Sequence, residues 1–109
     1  MCWQEFLHRH LCTPGECALQ VKTVEVTQAA ENKLTVRVLQ VRGTVEGRQR
    51  TMQLTHYHYH AWPDHGAPEE SYPIRCMCDA LPRHRGGSSK VVVHCSAGIG
   101  RTGEWGAAV

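Results

Sequence analysis

A cysteine and an arginine separated by five residues, Cys95-Ser96-Ala97-Gly98-Ile99-Gly100-Arg101, follow directly on Val91-Val92-Val93-His94. The valine run predicts a strand buried on both faces. Residues 95–103 predict a glycine-punctuated turn that opens a helix. Such a turn can curl so that successive backbone N–H groups point inward, forming an anion nest at a helix N-terminus. Gly98 and Gly100 are expected to supply the positive φ or the close backbone approach that a tight cradle needs. Arg101 adds a planar, two-pronged donor matched to phosphate oxygens. A thiol at the centre of that positive potential loses its proton easily, with a pKa of roughly 3.5–7.5 against about 8.5 when free. The chemistry this implies is a thiolate aimed at an electrophilic phosphorus.

A phosphate ester also needs its leaving oxygen protonated. Trp62-Pro63-Asp64 lies on a loop bounded by Pro63, Gly66 and Pro68, with Asp64 31 residues before Cys95. Such a loop could swing over the cradle and deliver a carboxylic acid, a contribution typically of about 10²–10⁴-fold.

Together, His94-Cys95-Ser96-Ala97-Gly98-Ile99-Gly100-Arg101-Thr102-Gly103 and Ala61-Trp62-Pro63-Asp64-His65-Gly66-Ala67-Pro68 resemble the tyrosine-specific protein phosphatases. The resemblance covers roughly residues 21–102. It implies that Cys95 is the nucleophile forming a cysteinyl-phosphate, and that Ser96, Ala97, Gly98, Ile99, Gly100 and Arg101 bind the phosphate. Asp64 becomes general acid, then general base toward water. His94 supports thiolate formation, Thr102 stabilises the thiolate as it leaves, and Trp62 is a hinge for loop closure. It implies an α/β fold of the α+β type, a twisted mixed sheet flanked by helices. It also implies a phosphotyrosine protein substrate and no metal or cofactor.

Composition fits this reading. The chain has 109 residues, 12 basic and 10 acidic, for a net charge of +2; apolar residues make up 41%. That is ordinary for one globular domain, read here as part of a catalytic domain over residues 1–109, and too apolar for a disordered tail. Scattered positive charge at +2 gives no case for nucleic acid or a membrane surface. No apolar run approaches the roughly 20 residues of a bilayer span, so no membrane insertion is expected, and residues 1–11 lack the apolar core of a signal peptide. Six cysteines fall below the density of disulfide-stapled secreted domains, so a reducing, cytoplasmic setting is expected.

The elements that must position these groups can be read from periodicity. Trp3, Phe6, Leu7 and Leu11 predict a short amphipathic helix, ended by a turn at Thr13-Pro14-Gly15. Residues 21–27 and 34–41 predict strands joined by a hairpin loop over 28–32. Gly43 and Gly47 predict a second turn, and residues 50–60 a third strand with Met52, Leu54, His56, His58 and His60 on one face. Residues 74–81 predict a helix, and 83–89 a basic connector.

Other candidates carry less. His56, His58 and His60 alternate in a way that could hold a transition metal; packing residues of the strand before Trp62 are the preferred reading. Cys2, Cys12, Cys17, Cys76 and Cys78 read as structural or incidental, because Cys12 and Cys17 have the wrong spacing for a zinc knuckle. Arg83, His84, Arg85 and Lys90 read as a solvated loop.

The chain departs from the resembled family at both ends. Upstream it lacks a counterpart of the loop whose tyrosine stacks on the substrate ring. Downstream, Glu104-Trp105-Gly106-Ala107-Ala108-Val109 stands where the family continues through a long buried helix to a glutamine-bearing loop. The chain therefore reads as a truncated phosphatase product, such as an alternative transcript, of marginal stability and with exposed apolar surface. Its rival reading is an impaired isoform that binds phosphate or phosphoprotein without efficient turnover.

Overall fold

The computed structural model describes residues 19–63, 66–84, 90–95 and 100–103, and for 82–84 the backbone. Strands β1 (Gln20–Ala29), β2 (Leu34–Val45) and β3 (Arg48–Tyr59) form one sheet in the order β1-β2-β3. Their density of Val and Thr suits a pleated, half-buried surface. Short turns join consecutive neighbours, so the sheet is an antiparallel meander.

Both turns run through left-handed backbone. Ala30, Glu31 and Asn32 have φ of 49°, 54° and 66°, and the Lys33 amide donates to the Ala30 carbonyl at 3.0 Å. Glu46 and Gly47, with φ of 51° and 72°, make a two-residue hairpin turn of the primed kind, whose twist matches that of the strands. The register follows from these turns. The His60 amide donates to the Lys33 carbonyl at 3.2 Å, which with the turn at 46–47 sets Leu54 opposite Leu39 and His56 opposite Arg37. The Thr35 hydroxyl donates to Gln28 Oε1 at 2.9 Å, fixing the β1–β2 pairing with residue 28 across from 35.

Because side chains alternate, this register gathers Val24, Val26, Thr35, Leu39, Val41, Met52, Leu54 and His56 on one face. The central strand is the best covered there: Thr35, Leu39 and Val41 are buried, as is His56 of β3, while Val24, Val26 and Met52 are exposed. Two compact units divide the chain. One holds the sheet body, including Thr35–His58; the other holds Ala29–Leu34 and the chain from Tyr59 onward.

In the second unit, helix α1 (Tyr72–His84) starts behind Ser71, whose carbonyl accepts from the Arg75 amide at 3.0 Å. Pro73 sits in the first turn, where no N–H is required, and is fully buried. Ile74, Met77, Cys78 and Leu81 form a half-buried stripe at helical spacing, with Arg75 and Asp79 exposed. Pro82 cannot donate to the preceding turn, and the helix ends two residues later.

Several sequence expectations change. The β1–β2 turn occupies 30–33, and Gln28 stays in β1. Gly43 is a buried residue inside β2, because a two-residue primed turn needs its left-handed pair adjacent, as at Glu46-Gly47. Arg83 and His84 belong to α1 instead of a connector. Residues 91–93 are not a strand, and Val91, Val92 and Val93 are 47%, 66% and 38% exposed. A strand needs a neighbour to satisfy its ladder, and none of the three strands formed by the described residues pairs with this segment. The helix expected over 3–11 and the turn at 13–15 lie outside the described residues.

Candidate active site

The site's two sequence segments both lie in the second unit. The first begins where β3 ends. Trp62 follows three residues after the strand, is half-buried, and donates its indole N–H to the Gly66 carbonyl at 3.1 Å. Its ring centroid lies 6.1 Å from that of Tyr59, tilted by 52°. Gly66 has a φ of 95°, a backbone state that side-chain-bearing residues rarely adopt. The indole bond thus closes a ring through residues 63–65, the stretch that contains Asp64. Asp64 and His65 themselves lie outside the described residues.

Beyond Gly66, the segment is tied to the β1–β2 turn. The Lys33 ammonium lies 2.6 Å from Glu70 Oε1. Its hydrogen bond to the Glu70 carboxylate holds the Lys33 ammonium above the ordinary lysine value of 10.5, working against a smaller desolvation effect. Sequence reading missed both ties. A glycine four residues after Trp62 was visible, but its role as acceptor depends on a turn that no periodicity encodes.

In the second segment, the extended stretch 90–95 leads into the sulfur-bearing residue. Cys95 is half-buried and not in a disulfide, as are Cys76 and Cys78. His94, also half-buried, approaches the Cys95 carbonyl through Nδ1 at 3.4 Å. Arg101, Thr102 and Gly103 form one helical turn, with Arg101 and Thr102 half-buried. The Thr102 hydroxyl oxygen is buried and has no hydrogen-bond partner among the described residues. A buried hydroxyl in that state is costly unless something else uses it. Ser96, Ala97, Gly98 and Ile99 lie outside the described residues.

Gly100 is exposed, directly precedes this helical turn, and has no atom of the described residues within 4 Å of where a Cβ would stand.

Of the histidine row only His56 is buried, and His58 and His60 are exposed. His56 is buried and stacks on His58, with centroids 5.7 Å apart and planes at 17°. Among the described residues, no group of three or more His, Cys, Asp or Glu side chains is placed to hold a metal. No helix among the described residues is long and apolar enough to cross a membrane.

Comparison with known proteins bears on these segments directly. The protein-tyrosine phosphatase family profile matches residues 7–108. Tyrosine-protein phosphatase 1 of Dictyostelium discoideum is 35% identical over 96 residues, covering 82% of this chain and 18% of that protein. The protein-tyrosine-phosphatase PTP1 of Arabidopsis thaliana is 34% identical over 91 residues, 84% of this chain and 26% of that one. A solved structure from work on the PTPN18 fingerprint on distinct HER2 tyrosine phosphorylation sites aligns with a TM-score of 0.64 and 28% identity, covering 80% of this chain and 30% of that chain. The chain thus spans less than a third of the length of these relatives. With the signature cysteine and arginine, the Trp-Pro-Asp loop and nearly the whole length falling within one family profile, this chain belongs to the protein-tyrosine phosphatases.

Proposed function

We propose that the chain carries the phosphotyrosine-hydrolysing centre of its family, acting on phosphotyrosine-containing proteins through a cysteinyl-phosphate. The observation that carries this reading is the placement of a half-buried thiol, Cys95, just ahead of the helical turn bearing Arg101 and Thr102. The Cys95 thiolate attacks phosphorus, forming a P–S bond as the ester P–O bond breaks, and Asp64 gives its proton to the leaving phenolate oxygen. Ser96–Arg101 hold the phosphoryl oxygens by backbone N–H groups and the guanidinium. Asp64 then takes a proton from water as it attacks phosphorus. The P–S bond breaks, phosphate leaves, and the thiolate returns within reach of the Thr102 hydroxyl. Trp62 serves as hinge and His94 supports ionisation of the thiol. No metal or cofactor enters this scheme.

The finer architecture belongs to the same proposal: a twisted mixed sheet flanked by helices, of which residues 1–109 are part, in a cytoplasmic protein. A second reading has its own support. Residues 91–93 stand exposed and outside the sheet formed by the described residues. On that reading the chain binds phosphate without efficient turnover. Hydrolysis of p-nitrophenyl phosphate decides between them. Turnover that vanadate inhibits and Cys95→Ser abolishes supports the enzyme; vanadate binding without turnover supports the binder.

A further inference from the structure

Three tyrosines are present in the chain, Tyr57, Tyr59 and Tyr72, and the fold presents them very differently. Tyr57 and Tyr59 are half-buried in β3, with their backbone committed to the sheet and Tyr59 against Trp62. Tyr72 is 54% exposed at the first position of α1. The residues before it, 66–71, are irregular, and all but Pro68 are exposed. Two of them, Glu69 and Glu70, place carboxylates three and two positions ahead of the phenol.

From this we infer that Tyr72 is a phosphorylation site for a protein-tyrosine kinase that reads the acidic, irregular segment Glu69-Glu70-Ser71 ahead of it. A kinase cleft is built around bound nucleotide phosphates and the cations that neutralise them, so carboxylates beside the acceptor complement it electrostatically. An irregular segment can be drawn into a cleft without breaking a β-ladder, which neither Tyr57 nor Tyr59 allows. The buried ring of Pro73 anchors the helix start, so only residues ahead of it need move, with release of the exposed Lys33–Glu70 bridge.

The step balances with a magnesium-bound nucleoside triphosphate as co-reactant. Tyr72 Oη attacks the γ-phosphorus, the bond from phosphorus to the β-bridging oxygen breaks, and nucleoside diphosphate leaves. The phenolic proton passes to the kinase's catalytic carboxylate. The product carries roughly −1.5 to −2 charge on the first turn of α1, near Arg75.

The test uses the whole chain carrying Cys95→Ser, so that it cannot remove what is added. It is incubated with a broad-specificity tyrosine kinase and magnesium ATP, and the phosphate is located by fragmentation mass spectrometry. The expected result is one phosphate, on Tyr72, absent in Tyr72→Phe and incorporated several-fold more slowly in Glu69→Lys. Failure to label Tyr72, or labelling of Tyr57 or Tyr59 at a comparable rate, overturns the inference, and site assignment on the unsubstituted tyrosines does not depend on any tyrosine variant folding. Persistence of the Tyr72 phosphate on the native Cys95 chain would count against the hydrolytic reading alone.

Discussion

Lys33 donates from its ammonium to Glu70 Oε1 at 2.6 Å, while its own backbone amide and carbonyl pair with Ala30 and His60. One residue of the β1–β2 turn therefore holds the end of β3 and the segment that follows the Trp-Pro-Asp loop. The pair is solvent-exposed, so its worth is small and falls with added salt. Its pH dependence has a definite sign. The folded ammonium titrates above the unfolded value of 10.5 because of Glu70, so the stabilisation is fully present below pH 10.5 and fades as pH rises through the folded value. Lys33→Met should melt slightly below the native chain near neutrality, and the gap should close in melts above that pH. A gap that persists unchanged in strong alkali would show that Lys33 acts by packing alone.

Glu46 holds a φ of 51° beside Gly47. A left-handed backbone costs an ordinary residue about 1–2 kcal/mol, and asparagine tolerates it better. Glu46→Asn should raise stability by about 1 kcal/mol, and thermal denaturation should show a rise of roughly 4–8 °C if the chain melts as a unit.

Leu39 is buried at the centre of the sheet, 3% exposed, opposite Leu54. Leu39→Ala should cost about 2–5 kcal/mol, enough to unfold much of a small domain. Val26→Ala, at an exposed position on the same face, should change the urea midpoint little.

Arg101→Lys should weaken vanadate binding about tenfold or more, because an ammonium cannot reproduce a two-pronged contact worth roughly 1.5–3 kcal/mol. Isothermal titration against the native chain reads this directly, and equal affinities would contradict the clamp.

Thr102 offers a cleaner separation of stability from chemistry. Its hydroxyl oxygen is buried without a partner among the described residues, so Thr102→Val should leave the melt unchanged or raise it. If the hydroxyl receives the returning thiolate, the same substitution should slow breakdown of the phosphoenzyme by about 10–100-fold, as expected for losing a hydrogen bond to a charged group. Rapid-quench measurement of the burst phase separates the two effects.

Strands were legible because their signal is local: β-branched residues at period two mark β1 and β2, and alternation of Met52, Leu54 and His56 with polar or aromatic neighbours marks β3, to within a few residues. The Cys95–Arg101 spacing and Trp62-Pro63-Asp64 were legible for another reason: they carry the resemblance to a family whose profile matches residues 7–108. Gly43 misled because glycine marks both turns and strand interiors, and only the left-handed pair Glu46-Gly47 tells them apart. Residues 91–93 misled because apolar β-branched sequence states a preference for a sheet without supplying the neighbouring strand. Contacts such as Lys33–Glu70, 37 residues apart, have no local signature.

The indole of Trp62, bound to the Gly66 carbonyl and lying 6.1 Å from the Tyr59 ring, makes the loop its own optical gauge. With Trp3 and Trp105 replaced by phenylalanine, a single tryptophan remains, excited directly or by transfer from Tyr59. Its emission should shift whenever the ring through residues 63–65 opens, so the state of the acid-bearing loop can be followed in solution without attaching a label.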